Sequence, residues 1–306
     1  MITEIEKQEI SSELKSGFIS FFNFSLALIE NLSKENNNLK FAVVNMQISL
    51  ELFLKYNFVM KDMPEYVFYI KKGKRKFRDF SEVLNSYYTV FQTSHYAEKK
   101  YLVTLLESRN DIVHKGKFKE WDEELAKYLI SCVFFMQGIY RNEFSETLIN
   151  PEYHPHKLSE NLTWKEGAIE FAHKVSKKFD VKLLECPYCY SRSLIKKEIF
   201  DFDEYGDIDN YQCLTCLCEV DTQINGAIIN CCDCGEKTYY VDRFNIQPDK
   251  THFGACLFCG NKMNLRHCDT CEDFYFHELK EIEIEFENNY FCSSECLDIY
   301  KEDNKD

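Results

Sequence analysis

The sequence predicts an α-helical N-terminal half, built as an up-and-down bundle, followed by a C-terminal array of three small cysteine-held modules with short β-strands. Three observations predict it. Apolar residues recur at helical spacing through residues 1–150. Of the 15 cysteines, all but Cys132 lie beyond residue 150, and twelve fall in close pairs. Charge divides at the same place. Residues 1–150 hold 20 Lys+Arg and 20 Asp+Glu, while residues 151–306 hold 17 and 31 and so carry the whole net charge of −14.

The first helix opens on Thr3 and Glu6, spaced as a capping box. Leu14, Phe18, Phe21, Phe22, Ser25, Leu28, Ile29 and Leu32 follow one face of it, and "ENNN" at 35–38 interrupts it. A second helix, from about Phe41 to Val59, is apolar on more than one face and therefore central. "KKGKRKFR", Lys71 to Arg78, reads as a basic connector with six cations in eight residues. A short helix over 80–91 leads to one from about His95 to Val113, which Gly116 stops. The last helix of the bundle covers about 121–147, with Trp121, Leu125, Leu129, Val133 and Met136 at helical spacing. Residues 1–148 are thus assigned to the bundle. Residues 149–182 are read as a linker, carrying Pro151, Pro155, His154 and His156, with a short helix to about Phe179. Thr163 and Glu166 are expected to cap that helix. Residues 183–306 form the cysteine module. Cys132 is expected in the core.

The paired cysteines are Cys186/Cys189, Cys213/Cys216, Cys231/Cys234, Cys256/Cys259, Cys268/Cys271 and Cys292/Cys296. Successive couples of pairs enclose 23, 21 and 20 residues, an internal repeat. Two residues between cysteines let a tight knuckle aim two thiolates at one ion, and two knuckles complete a tetrahedron. Gly235 and Gly260 suit such knuckles. The repeat unit is a zinc ribbon, so the fold class is α plus small zinc-ribbon β, with modules at about 186–218, 231–262 and 268–300. Soft thiolates select about three structural Zn2+ ions, with iron left open by spacing alone. Near-equal gaps favour sequential over cross-braced pairing. Cys218 and Cys232 are spare, and His277 is an alternative ligand for the last site. "YFCSSECLDIY" resembles the Phe-Cys-Ser-x-x-Cys ending of MYM/TRASH-type zinc fingers.

"LLESRNDIVHKG", 105–116, holds Arg109 and His114 near a helix C-terminus, where the helix dipole alone favours such residues. Asn110 follows the arginine, and Ile112 and Val113 are buried-type residues. "RNDIVH" resembles the Arg-polar-x3-His motif of the HEPN superfamily, helical domains whose ribonuclease members carry it late in the bundle. "NMQISLELFLKY" (45–56), with Glu51 one turn before Lys55, is similar to the family's second helix. The resemblance covers roughly residues 10–145. It implies an endoribonuclease, a homodimer with both motifs in a shared cleft, and a toxin or antiviral defence role.

Chemistry supports those roles. On a regular helix, residues five apart point about 140° apart, so either the helix breaks near Gly116 or two protomers contribute. His114 is assigned as general acid/base. Arg109 is assigned as phosphate binder and transition-state stabiliser, and Asn110 as orienting one of the two or contacting the phosphate. No metal is needed for catalysis when the 2′-hydroxyl attacks, and a 2′,3′-cyclic phosphate product is expected. Lys71, Lys72, Lys74, Arg75, Lys76, Arg78 and Lys115 are candidate RNA contacts, Phe77 a candidate stacking ring, and Glu51 a supporting residue.

The acidic module is expected to bind a protein trigger or regulator rather than nucleic acid, which disfavours a transcription factor. The alternative to the nuclease is a catalytically silent dimer acting as an adaptor. The most apolar run, "GFISFFNFSLALI", is 13 residues long and broken by Asn23 and Ser25, so no membrane span is expected. The N-terminus has no signal-peptide pattern, and a cytoplasmic protein with reduced cysteines is expected.

Overall fold

A computed structural model describes residues 3–30, 37–91, 123–149, 157–199, 210–220, 226–279 and 283–304, with 99, 102–104 and 107 between them. The chain divides into two compact units. The first comprises residues up to Asp180 together with Leu214–Cys218, and the second most of the cysteine-rich part.

Helix α1 (Glu4–Glu30) begins as expected. The Thr3 N–H donates to Glu6 Oε2 at 2.8 Å, and the Glu6 N–H donates to Thr3 Oγ1 at 3.3 Å. It packs antiparallel to α2 (Asn37–Met60). Ser25 Oγ donates to the Ala42 carbonyl (2.8 Å) and Ser49 Oγ to the Phe18 carbonyl (2.7 Å), so both buried hydroxyls are satisfied across the helix pair. A Cβ on Gly17 would stand 3.0 Å from Leu52 Cδ1, so glycine permits this close approach.

Helices α3 (Phe80–Val90) and α4 (Glu123–Phe144) join the same core. Phe18 meets Phe53 and Tyr140 with ring centroids 5.3 and 5.6 Å apart, and Phe58 meets Tyr87 at 6.3 Å. Residues 99, 102–104 and 107 are helical, inside the segment where a helix was expected, and Leu102 is fully buried. Cys132 lies in the core, where burial pushes its thiol far up.

Helix α5 (Leu162–Phe179) corrects one expectation. Its cap is Asn161, not Thr163: Asn161 Oδ1 accepts from the Trp164 N–H at 3.0 Å. Asparagine is among the strongest caps, and Thr163, 1% exposed, is turned inward inside the first turn. Rather than standing in a linker, α5 packs on α4 through the stacked Phe134 and Phe171 and a Lys127–Glu170 ion pair. Within this unit, Trp164 Nε1 donates to the Thr215 carbonyl at 2.8 Å.

"KKGKRKFR" is a hairpin, not a connector. Strands β1 (Phe68–Lys71) and β2 (Lys74–Phe77) pair antiparallel around Lys72 and Gly73, at φ 51° and 70°. Consecutive left-handed residues make the turn whose twist matches a two-stranded ribbon.

In the second unit, β3 (Leu194–Lys196), β4 (Tyr211–Cys213) and β5 (Glu219–Val220) form one small sheet. Strands β6 (Gly226–Asn230), β7 (Lys237–Ile246), β8 (Thr251–Cys256), β9 (Lys262–His267) and β10 (Phe274–Tyr275) form an antiparallel meander. Strands β11 (Ile284–Phe286) and β12 (Asn289–Phe291) make a hairpin ahead of helix α6 (Ser294–Asp303). The meander's core is thin: Tyr239, Val241 and Leu265 with Cys231 and Cys256.

Candidate functional site

The cysteine knuckles share one backbone design. The residue after each Cys-x2-Cys pair is left-handed: Tyr190 (φ 56°), Leu217 (60°), Gly235 (72°), Gly260 (81°) and Glu272 (60°). At Tyr190, Gly235, Gly260 and Glu272 the N–H donates back to the first cysteine's carbonyl, at 2.9–3.0 Å. This reversal turns both thiols of a pair to one side. Gly235 and Gly260 betray the position in the sequence, whereas the non-glycine members at the same offset are invisible to composition. The final pair uses a helix instead. Ser293 caps α6 by accepting from the Cys296 N–H, so Cys292 precedes the cap and Cys296 sits in the first turn.

These knuckles assemble three groups in sequential order: Cys186, Cys189, Cys213, Cys216; then Cys231, Cys234, Cys256, Cys259; then Cys268, Cys271, Cys292, Cys296. Within each group all four sulfurs lie within 4.8 Å of one another. Sulfur–sulfur separations include 3.6 Å (Cys189–Cys213), 3.7 Å (Cys231–Cys259) and 3.6 Å (Cys292–Cys296). A tetrahedron with metal–sulfur bonds of ~2.3 Å has edges of about 3.8 Å. The groups are therefore placed to hold one metal ion each. Cys218 and Cys232 lie outside them, and so does His277, which sits 4.0 Å from Glu278.

The thiols themselves favour a cation. Cys256 falls to about 6: burial opposes ionisation, but the Cys259 N–H and the Thr238 hydroxyl outweigh it. Cys268 falls to about 7 in the same way, through the N–H groups of Cys271, Cys292 and Thr270. Burial and the neighbouring thiols push Cys292 up to about 12. In the second and third groups one sulfur thus ionises readily while a neighbour resists, a conflict that a divalent ion removes.

The basic hairpin separates its side chains by face. Phe68, Ile70, Arg75 and Phe77 share one side, with Phe68 and Phe77 at 4.8 Å and Arg75 over Phe68 at 5.6 Å. Beneath Phe77 lies Lys55, 4% exposed, its Nζ 4.8 Å from the ring centroid and 2.5 Å from Glu51 Oε1. Glu51, Lys55 and Phe77 are thus one cluster, and Phe77 already covers a cation of its own chain. Arg75 pairs with Glu6, and Arg78 pairs with Glu82 and donates to the Glu65 carbonyl. Tyr69, Lys71, Lys74 and Lys76 form the opposite face, exposed, with Lys72 at the turn. Among the described residues these lysines make no ion pair.

Arg109, Asn110, His114 and Lys115 lie outside the described residues, as do Gly116, His154 and His156. Among the described residues no helix is long and apolar enough to cross a membrane. A scan against protein-family models finds no match, and searches of curated proteins and of solved structures find none either.

Proposed function

We propose that the chain is a metal-independent endoribonuclease of HEPN type, with a structural zinc ion in each four-cysteine group. The observation that carries this reading is the "RNDIVH" sequence, Arg109 to His114, in a helical unit that also presents a lysine-and-tyrosine hairpin face. His114 moves protons between the 2′-hydroxyl and the leaving 5′-oxygen. Arg109 holds the phosphoryl oxygens, and Asn110 orients them. Lys71, Lys74 and Lys76 draw in the RNA backbone, a salt-sensitive attraction. The active form is a homodimer, and the cysteine module receives a protein regulator. A growth-arresting toxin or antiviral effector fits this combination.

Four thiolates at tetrahedral spacing favour zinc, and a closed four-thiolate site holds fold rather than performing chemistry. A second reading, a silent adaptor, is favoured by those closed sites and by the acidity of the cysteine-rich half.

The test is RNA cleavage in the presence of EDTA by the wild type and by His114→Ala, with product ends and bound zinc analysed. Cyclic phosphate ends from the wild type alone support the nuclease. Equal cleavage by both proteins, or none by either the full chain or residues 1–180, sinks it in favour of the adaptor.

A further inference from the structure

The cysteine module contains a cavity of about 140 Å³ that the metal groups do not account for. It lies between the 186–190 knuckle and the β7–β8 face of the meander. Its walls are aromatic: Tyr188, Tyr190, Tyr240 and Phe253. Burial, and then the neighbouring Tyr188, push the Tyr240 hydroxyl's pKa up. Tyr190 and Phe253 are 67% and 39% exposed and leave the mouth open to solvent.

The charge around these rings is mostly negative. Glu185 and Asp242 line the cavity. So do Cys186 and Cys256, one from each of two neighbouring groups. Four thiolates on a divalent ion leave two negative charges, so each loaded group adds to the same field. Ring faces carry negative potential and attract ammonium groups. The chain itself supplies an example. Lys262, the one basic residue of the lining, places Nζ 6.0 Å from the Tyr190 ring centroid.

The knuckle's turn places Tyr190 at the mouth of the cavity. It occupies the left-handed position after its knuckle, at φ 56°, where Gly235 and Gly260 stand in the second group. A bulky residue there costs backbone energy that glycine avoids. Its ring is mostly exposed, so burial does not compensate. Leu217 and Glu272 hold the same left-handed position after their own knuckles, so what distinguishes Tyr190 is its exposed ring at the cavity mouth rather than its backbone.

We propose that this cavity binds the cationic side chain of a lysine, free or Nε-methylated, on a partner protein. The Tyr190 ring and its aromatic neighbours receive the ammonium, Asp242 and Glu185 supply counter-charge, and Lys262 yields its place at the mouth. The site stands independently of the nuclease reading.

The test uses the metal-loaded full chain, titrated by NMR with a pentapeptide bearing one central lysine. The same peptide with Nε-trimethyllysine, the same peptide with norleucine, and adenosine monophosphate are titrated alongside. Tyr190→Gly relieves the left-handed strain while removing the ring, so its metal content and thermal midpoint should hold or rise. Its affinity for the lysine peptides should fall roughly five-fold. Asp242→Asn should weaken them too, and Lys262→Ala should tighten them by removing a competing cation. The norleucine peptide should not bind.

Several outcomes overturn the proposal. One is no binding of either lysine peptide, or binding that Tyr190→Gly leaves unchanged. Equal binding of norleucine would mean a merely apolar groove. Binding of the nucleotide, weakened by Lys262→Ala, would make this a nucleic-acid site instead.

Discussion

The helical unit and the cysteine module are stabilised by different means. The helical unit buries whole aromatic rings, with Phe18, Phe22, Phe53, Phe58, Phe134 and Phe135 essentially inaccessible. The module's meander buries Tyr239, Val241 and Leu265, and two of its five core members are cysteines of a metal group. Short strands around so small a core cannot offset chain entropy by apolar burial alone. One unit is therefore held by its side chains, whereas the other has three cysteine groups placed to hold metal that would make up the difference.

Chelation tests that contrast most severely. Structural zinc contributes ~10–16 kcal/mol of apparent folding free energy in small metal modules. Stripping metal from all three groups should unfold the module and leave the helical unit standing. Limited proteolysis should cut within 183–306 while far-UV circular dichroism keeps its helical minima. Loss of the helical signal at the same chelator concentration would mean that the two units share one source of stability.

The converse perturbation belongs in the helical core. Phe18 is fully buried between Phe53, Tyr56 and Tyr140. Truncation of a buried phenylalanine costs ~3–5 kcal/mol. Phe18→Ala should lower the thermal midpoint of the helical signal while the chain still carries three equivalents of metal. Metal loss in parallel with the helices would break the comparison.

The same contrast explains what could be read from sequence. Cysteine pairs are legible because metal ligation imposes fixed short spacings, and the repeat of the gaps exposes the order of pairing. Helices with one apolar face, such as α1 with Leu14, Phe18 and Ile29, are legible because burial follows the helical period. The basic hairpin was not. Its lysines suggest a solvated connector, and the informative signals were Phe68 and Phe77 at matched positions around Lys72-Gly73. The α5 cap is ambiguous in sequence because Asn161 and Thr163 are both good caps, and only tertiary burial of Thr163 decides between them. The cavity beside Tyr190 has no local signature, since its walls come from segments 50 or more residues apart.

A smaller effect is expected inside the module from a single hydroxyl. Tyr239 is buried in the meander, its hydroxyl accepting from the Met263 N–H at 2.6 Å and facing the carbonyls of Met263 (2.9 Å) and Gly254 (3.1 Å). Tyr239→Phe preserves the ring and strands these groups, a loss of ~1–3 kcal/mol for buried unpaired atoms. It should lower the chelator concentration needed to unfold the module without changing metal stoichiometry at saturation. An unchanged chelation curve would show that metal alone, and not this bond network, sets the module's stability.

The smallest effect lies on the surface of the helical unit and is set by pH. Lys15 Nζ donates to both Glu146 carboxylate oxygens (2.7 and 2.9 Å), and the Tyr140 hydroxyl donates to Oε2 (2.6 Å). Bonds from Lys15, then Tyr140, hold the Glu146 carboxyl below its usual 4.5. A depressed carboxyl stabilises the fold above its unfolded value and loses that contribution as pH falls through the folded one. Lys15 is raised to about 12, chiefly by Glu146, so its share is complete below 10.5 and fades as pH rises past about 12. Glu146 is half-exposed, and solvent screening reduces the whole contribution to a few tenths of a kcal/mol. Glu146→Gln should therefore flatten the acid limb of helical stability below about pH 4.5 and leave the midpoint at pH 7 almost unmoved. If the wild type and the variant lose helical stability in parallel on acidification, the bonds to Glu146 do not set that limb, and the unit's acid sensitivity lies in other carboxylates.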